Sequence, residues 1–170
     1  MSVKIKHITL WRSEVENKPG ILARTLEPLA AAHTNLEVVM GYRYPGTGEK
    51  AAIELYPVTG KKAVAAAKAM GLTGSGIPTL LVTGDNKPGL GHLVAKAIAD
   101  RGINLGFLVA QVVGRRYSAV VGFDTEEDTK TAAALIKKAT TAKKKRGLDP
   151  ADRSSTRNAH LQRSVMTQLR

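Results

Sequence analysis

The chain of 170 residues contains no cysteine. That excludes disulfides, thiolate nucleophiles and cysteine metal sites, and it fits a reducing compartment. Aromatic residues are scarce, at 4% of the sequence, so a surface that stacks bases on several rings has little material. Long apolar runs are missing as well: "LEVVM" and "TLLV" are broken by charge or glycine within a few residues. Nothing approaches the roughly 18 apolar residues of a membrane helix. The opening "MSVKIKHITLW" alternates polar with apolar residues, so no secretory signal is expected and a cytoplasmic protein is. Acidic residues are outnumbered, 14 against 26 Lys and Arg. The imbalance is local, because residues 137–170 hold ten basic residues against Asp149 and Asp152. The remainder carries sixteen against twelve, so whole-chain charge says little about the body.

What is present is a repeat. "ENKPGIL" (Glu16 to Leu22) and "DNKPGLG" (Asp85 to Gly91) share Asn-Lys-Pro-Gly at an offset of sixty-nine residues. Asn35-Leu36 falls on Asn104-Leu105 at the same offset, and Leu29-Ala30 on Ile98-Ala99. Beyond this point the register slips by two, with "AIELY" aligning with "AVVGF". The slip falls between "YRYPGTGEK" and "VVGRRYS", where a hairpin loop absorbs it.

Periodicity supplies the elements. "KIKHITLW" and "IPTLLVTG" read as strands, and "NLEVVMGYR" and "NLGFLVAQVV" as further strands opening hairpins. Leu22, Leu26, Leu29 and Ala30 recur at helical spacing from Pro19 to about Ala32. Leu90, Leu93, Val94, Ala97 and Ile98 do so from Pro88 to Asp100. "TGKKAVAAAKAM" and "DTEEDTKTAAALIKKATTAKKK" are helices, the second with an acidic first turn suited to a helix N-terminus. Each half is therefore β-α-β-β-α, with a closing strand that is short ("GLTGS") or missing. That is the split βαβ pattern of ferredoxin-like α+β folds, with antiparallel sheets and both helices on one face. The expected division is a first domain over 1–73, a second over 77–142, and a basic tail over 143–170 with a short helix from Asp149. A half of this size is marginal alone, so the halves are expected to pack together or against another chain.

The repeated turn joins a strand to a helix. Asn17 and Asn86 are expected to cap the helix, and Pro19 and Pro88 to pre-set its φ. Gly20 and Gly89 admit a close neighbour. The N–H groups of Gly20, Ile21 and Leu22, and of Gly89, Leu90 and Gly91, would then face a small carboxylate.

The pattern strand, [Asp/Asn]-x-Pro-Gly-[hydrophobic]-Leu, helix, Asn-[hydrophobic] resembles the ACT domain. "ENKPGILARTLEPLAAAHTNLEVV" and "DNKPGLGHLVAKAIADRGINLGFL" both carry it, and the resemblance spans roughly Ile5 to Ala139. It implies tandem βαββαβ modules that regulate rather than catalyse. In such modules an amino acid or another small molecule binds where domains meet, and paired domains imply a homodimer with allosteric action on an enzyme or another protein. Carried over, the ligand-binding positions of the first half are Asn17, Pro19, Gly20, Ile21 and Leu22 with Asn35 and Leu36. In the second half they are Asn86, Pro88, Gly89, Leu90 and Gly91 with Asn104 and Leu105. Gly91 replaces Leu22 and Gly106 replaces Glu37, so the two pockets are expected to differ.

Other functions find less material. His7, His33, His92 and His160 do not repeat at the offset and lack metal-ligand spacing, so no metal site, catalytic residue or cofactor is expected. "GDNKPGLG" has phosphate-loop glycines, but Leu90 stands where the Walker pattern requires Lys. Trp11, Tyr42, Tyr44, Tyr56, Phe107, Tyr117 and Phe123 do not form an RNA-binding signature. The alternative is a basic ferredoxin-like adaptor whose tail, with "KKATTAKKKRG", attracts nucleic acid in a salt-dependent manner or engages a partner protein. Within the tail, Leu161, Val165 and Leu169 share a face at i, i+4, i+8.

Overall fold

The computed structural model describes residues 3–44, 46 and 48–146. Its elements run β1 (Val3–Ile8), β2 (Trp11–Glu16), α1 (Ile21–Ala31), β3 (Val38–Arg43), β4 (Lys50–Tyr56), α2 (Lys61–Ala69) and β5 (Thr73–Gly74). They continue with β6 (Thr79–Asp85), α3 (Leu90–Ala99), β7 (Phe107–Val113), β8 (Arg116–Gly122) and α4 (Glu126–Arg146). The strands make two antiparallel four-stranded sheets, ordered β3-β4-β2-β5 and β1-β6-β8-β7. This is the tandem ferredoxin-like arrangement, and α4 runs to Arg146, past residue 142. The helix expected from Asp149 lies outside the described residues.

One element departs from expectation. "KIKHITLW" is not a single strand but two, and they belong to different sheets. Val3–Ile8 pairs with β6 from Val3 opposite Gly84 to Ile8 opposite Thr79. Trp11–Glu16 pairs with β4 and, through Trp11 and Arg12, with β5. The first half closes its own sheet with the two residues Thr73–Gly74. Among the described residues the second half has no closing strand of its own, and β1 occupies that edge. Alternation continues through Ile8-Thr9-Leu10-Trp11, so no turn residue marks the crossing.

Three apolar clusters follow. Leu29 of α1 and Ala63 and Ala67 of α2 pack on Ile53 and Leu55 of β4. Leu90, Val94 and Ile98 of α3 and Ala132 and Ile136 of α4 pack on Leu80, Val82, Ala119 and Val121, with Val3 and Ile5 alongside. On the faces away from the helices, Ile8, Leu10, Val38, Met40, Leu81 and Val120 join the two sheets. Alternation decides this: Leu80 and Val82 face the helices, and Leu81 between them faces the other sheet. Each fully buried Leu or Val contributes about 1.5–3 kcal/mol. Lys6 meets Glu37 at 3.6 Å across the rim of that interface, an exposed pair of small energetic value. Within the second sheet the Phe107 ring lies over its cross-strand partner Gly122, where an added Cβ would clash with it.

Candidate functional site

The offset of sixty-nine places β2, α1 and β3 on β6, α3 and β7, so each Asn-Lys-Pro-Gly turn lies between the first strand and first helix of its unit. The turn is built differently from the expected cap. The residue at each helix start is glycine, Gly20 at φ 84° and Gly89 at φ 77°. Neither helix has a side-chain cap. Asn17 instead donates from Nδ2 to the Gly48 carbonyl at 3.1 Å, and its N–H donates to Glu49 at 2.8 Å. Asn86 N–H likewise donates to the Arg115 carbonyl at 2.8 Å. Both asparagines therefore tie the turn to the β3-β4 or β7-β8 hairpin. Pro19 and Pro88 stand one residue before the N-cap.

The role of the two glycines is conformational. A Cβ at Gly20 would meet nothing within 4 Å. The left-handed φ is what demands glycine there, since an L side chain costs roughly 1–2 kcal/mol in it. The N–H of Ile21 donates to the Lys18 carbonyl at 3.2 Å and that of Leu90 to Lys87 at 3.1 Å. The first helical bonds run from Arg24 to Gly20 and from Leu93 to Gly89, each at 3.0 Å. The N–H groups of Leu22 and Ala23, and of Gly91 and His92, precede those bonds and point out of the helix start. By contrast, Thr125 caps α4: its hydroxyl accepts from the Asp128 N–H at 3.0 Å and donates to the Asp128 carboxylate at 2.8 Å.

Of the sequence-identified positions, Asn17, Pro19, Gly20, Asn86, Pro88, Gly89 and Gly91 are exposed. Leu22 is 39% exposed, whereas Leu90 is buried at 1%. Ile21 and Leu36 pack on the first core and Leu105 on the second. These apolar side chains offer a ligand their backbone rather than their surface. Asn35 and Leu36 lie beyond the other end of α1, whose 11 residues span about 16 Å. Asn104 and Leu105 stand in the same relation to Gly89 across α3. Within one chain the two halves of each site are thus apart. Asn35 lines a cavity of about 410 Å³ with His33, Thr34, Gly60, Lys61 and Lys62, at the far end of α1 from Gly20.

The outer edge of β7 bears on this separation. Leu108 and Val109 are each 48% exposed, and Val113 is 69% exposed. Gln111 is its one polar residue, and no charged side chain interrupts Phe107–Val113. An apolar edge with unpaired N–H and C=O groups is a pairing surface. Antiparallel pairing of two such edges would carry the start of one strand to the end of the other.

A polar network that the sequence reading missed lies on the inner face of β2-β4-β3. Glu54, 0% exposed, accepts from the Tyr42 hydroxyl at 3.1 Å and from Arg12 at 3.4 Å. Arg12 also donates to Glu14 at 3.3 Å and to the Tyr44 hydroxyl, which donates to Glu14 at 2.8 Å. The available signal was a charge inside the apolar run "AIELY" of a central strand. Burial and then the Glu54 carboxylate push the Tyr42 phenol up to about 12, while the Tyr44 hydroxyl first and Arg12 second hold Glu14 below the ordinary carboxylate value. A folded-state value above the unfolded one favours the fold below the unfolded value near 10. That contribution is lost as pH rises from about 10 to about 12. Phenolate absorbance during alkaline titration is expected to lose its highest step in Tyr42→Phe; an unchanged curve would assign that step elsewhere.

Among the described residues no three His, Asp or Glu side chains converge to hold a metal ion, and no helix is long and apolar enough to cross a membrane. No protein-family profile matches the chain, and no curated protein does. Solved structures do match in fold. Protein BT0572 from Bacteroides thetaiotaomicron aligns at TM-score 0.65 and 15% identity, covering 80% of this chain and 90% of that one. The ligand-free regulatory subunit of aspartate kinase from Thermus thermophilus aligns at 0.56 and 17%, over 82% and 97%. Clostridium acetobutylicum aspartate kinase, described as an allosteric enzyme, aligns at 0.53 and 11%, over 81% of this chain and 34% of its own. The chain shares with them the tandem ferredoxin-like fold, two antiparallel four-stranded sheets with four helices.

Proposed function

We propose that this chain is a non-catalytic regulatory protein that binds a small amino-acid-like ligand, acts as a cytoplasmic homodimer, and passes the binding signal to an enzyme or another protein. The observation that carries this reading is the pair of helix starts at Gly20 and Gly89. At the same point of both units a helix begins without a side-chain cap, behind an exposed left-handed glycine. Backbone N–H groups and the positive end of the helix dipole suit a carboxylate there. The amide oxygen of Asn35 or Asn104 from a facing chain supplies an acceptor for the ammonium group. Antiparallel pairing along β7 would bring Asn104 of one chain toward Gly89 of the other, which one chain alone does not do. The regulatory subunit from Thermus thermophilus, alike in fold, lends the regulatory part of this reading its support.

The test is a thermal-shift screen against the twenty amino acids, followed by calorimetric titration. A ligand that binds only the folded state adds about 2.7 kcal/mol at a hundred times its dissociation constant, so a clear melting shift with one or a few amino acids is expected. Gly20→Asn and Gly89→Asn refine it. Asparagine tolerates the left-handed conformation, and its side chain projects into the open space before the helix. Folding is expected to persist while affinity falls at least about tenfold, or 1.4 kcal/mol. No shift with any amino acid at millimolar concentration would overturn the reading. Full affinity in both variants would move the site away from the turns.

A further inference from the structure

Three departures from local rules meet at one cavity. His33 stands just past the end of α1 at φ 55°, a left-handed conformation that favours glycine. At the offset of sixty-nine the same place after α3 is held by Gly102, at φ 75°. Lys61 and Lys62 open α2, and no acidic residue stands in that first turn. Cations at a helix start oppose the helix dipole, so neither lysine is there to stabilise α2. The Thr34 hydroxyl is buried without a hydrogen-bond partner among the described residues, which costs free energy. All of these residues line the cavity of about 410 Å³ at the far end of α1 from Gly20.

The balance of donors and charge selects the ligand. Among the described residues no carboxylate lines the cavity. His33, Lys61 and Lys62 are exposed and have no ion-pair partner among the described residues. The first backbone bond of α2 runs from Val64 to Gly60 at 3.0 Å. The N–H groups of Lys61, Lys62 and Ala63 precede that bond, and no side chain caps them. Two ammonium groups, an imidazole, a hydroxyl and these N–H groups suit an anion with several oxygens and more than one charge. A carboxylate would use only part of that set. Lysine is a frequent phosphate ligand, acting as a compact point charge. Ala32, Pro57 and Ala63 give the cavity an apolar wall, and its volume falls within the range of small-molecule sites.

We propose that this cavity is a second binding site, separate from the two turns, for a phosphate group, free or carried by a small molecule. The phosphate oxygens accept from Lys61 and Lys62, from the N–H groups at the start of α2, and from His33. The Thr34 hydroxyl gains there the acceptor that the fold withholds. Asn35 lines the same cavity, so the occupant lies beside a residue of the proposed amino-acid site.

The experiment is calorimetric titration of the full chain near neutral pH and at one fixed ionic strength, with phenyl phosphate, benzoate and inorganic phosphate. Phenyl phosphate is expected to bind at least about tenfold more tightly than benzoate. Inorganic phosphate that binds as well as phenyl phosphate would identify the free ion as sufficient, and weaker binding would assign the site to a phosphorylated small molecule. Lys61→Gln combined with Lys62→Gln is expected to lower phenyl phosphate affinity at least about tenfold, and Gly20→Asn to leave it unchanged. His33→Gly separates binding from folding. Relief of the left-handed conformation should raise the melting temperature, while affinity falls about threefold or more. Equal binding of phenyl phosphate and benzoate, or no binding of either phosphate at millimolar concentration, would overturn the proposal. So would full affinity in the lysine double variant or in His33→Gly. Amino-acid binding at the turns is read separately through Gly20→Asn and Gly89→Asn, so either site can fail alone.

Discussion

Deletion of residues 1–8 is expected to unfold the second unit while leaving the first largely folded. The reason is the exchange of edges: Val3–Ile8 closes the sheet of the second half through six register pairs with β6. Its removal strips the hydrogen-bond partners from one edge of β6, the other edge staying paired with β8. It also takes Val3 and Ile5 from the second core and Ile8, 7% exposed, from the layer between the sheets. Three such side chains, two of them partly buried, contribute about 3–6 kcal/mol. That is a large share of the 5–15 kcal/mol that holds a typical domain folded. For a unit of this size each kcal/mol moves the melting temperature by roughly 4–8 °C. A separate transition more than about 10 °C below that of the full chain is therefore expected by calorimetry. Adding back a peptide of residues 1–10 should restore it in part. One unshifted transition would mean that the β1–β6 ladder contributes little.

The second large effect is expected from paired charges on the outer strand. Val109→Lys combined with Val113→Lys places two cations on an edge that carries none, at positions 48% and 69% exposed. Exposed substitutions of this kind change monomer stability by about 0.5 kcal/mol or less, so circular dichroism should be unaltered. A two-fold contact repeats each charge on both chains, and lysines on an edge are an established barrier to strand addition. Dimer dissociation measured by sedimentation equilibrium is expected to strengthen at least about a hundredfold, or 2.7 kcal/mol. Amino-acid affinity at the second turn should fall with it, because Gly89 and Asn104 lie at opposite ends of α3 in one chain. A variant that remains dimeric would place the interface elsewhere, with the β3 edge the next candidate. Loss of dimer with ligand affinity intact would show that each site is complete within one chain.

Much of the fold was legible because it rests on local rules. The hairpin slip between "YRYPGTGEK" and "VVGRRYS" corresponds to a longer β3-β4 loop and a two-residue β7-β8 turn. The acidic start of α4 sits where Thr125 and Asp128 close a cap. The cap expected from Asn17 was misassigned for a physical reason. Asn-Lys-Pro-Gly can present either asparagine or glycine at the helix start. The choice depends on Gly48 and Glu49, more than thirty residues away, which hold Asn17 back. The offset itself held the missing clue to the first strand. Applied to "IPTLLVTG", it lands on "ITLWRSEV", which contains most of β2 and excludes most of β1.

The sequence by itself determined the two turns, the helical stripes, the strands and their repetition, since each depends on residues within a few positions of one another. Tertiary structure alone decided which sheet receives Val3–Ile8. An alternating strand pairs equally well with any bare edge, and among the described residues it is the edge of β6, which has no closing strand from its own half, that receives it. It also decided the fate of Glu54. A carboxylate in a strand is buried or solvated according to what covers its face, and the cover comes from residues far along the chain.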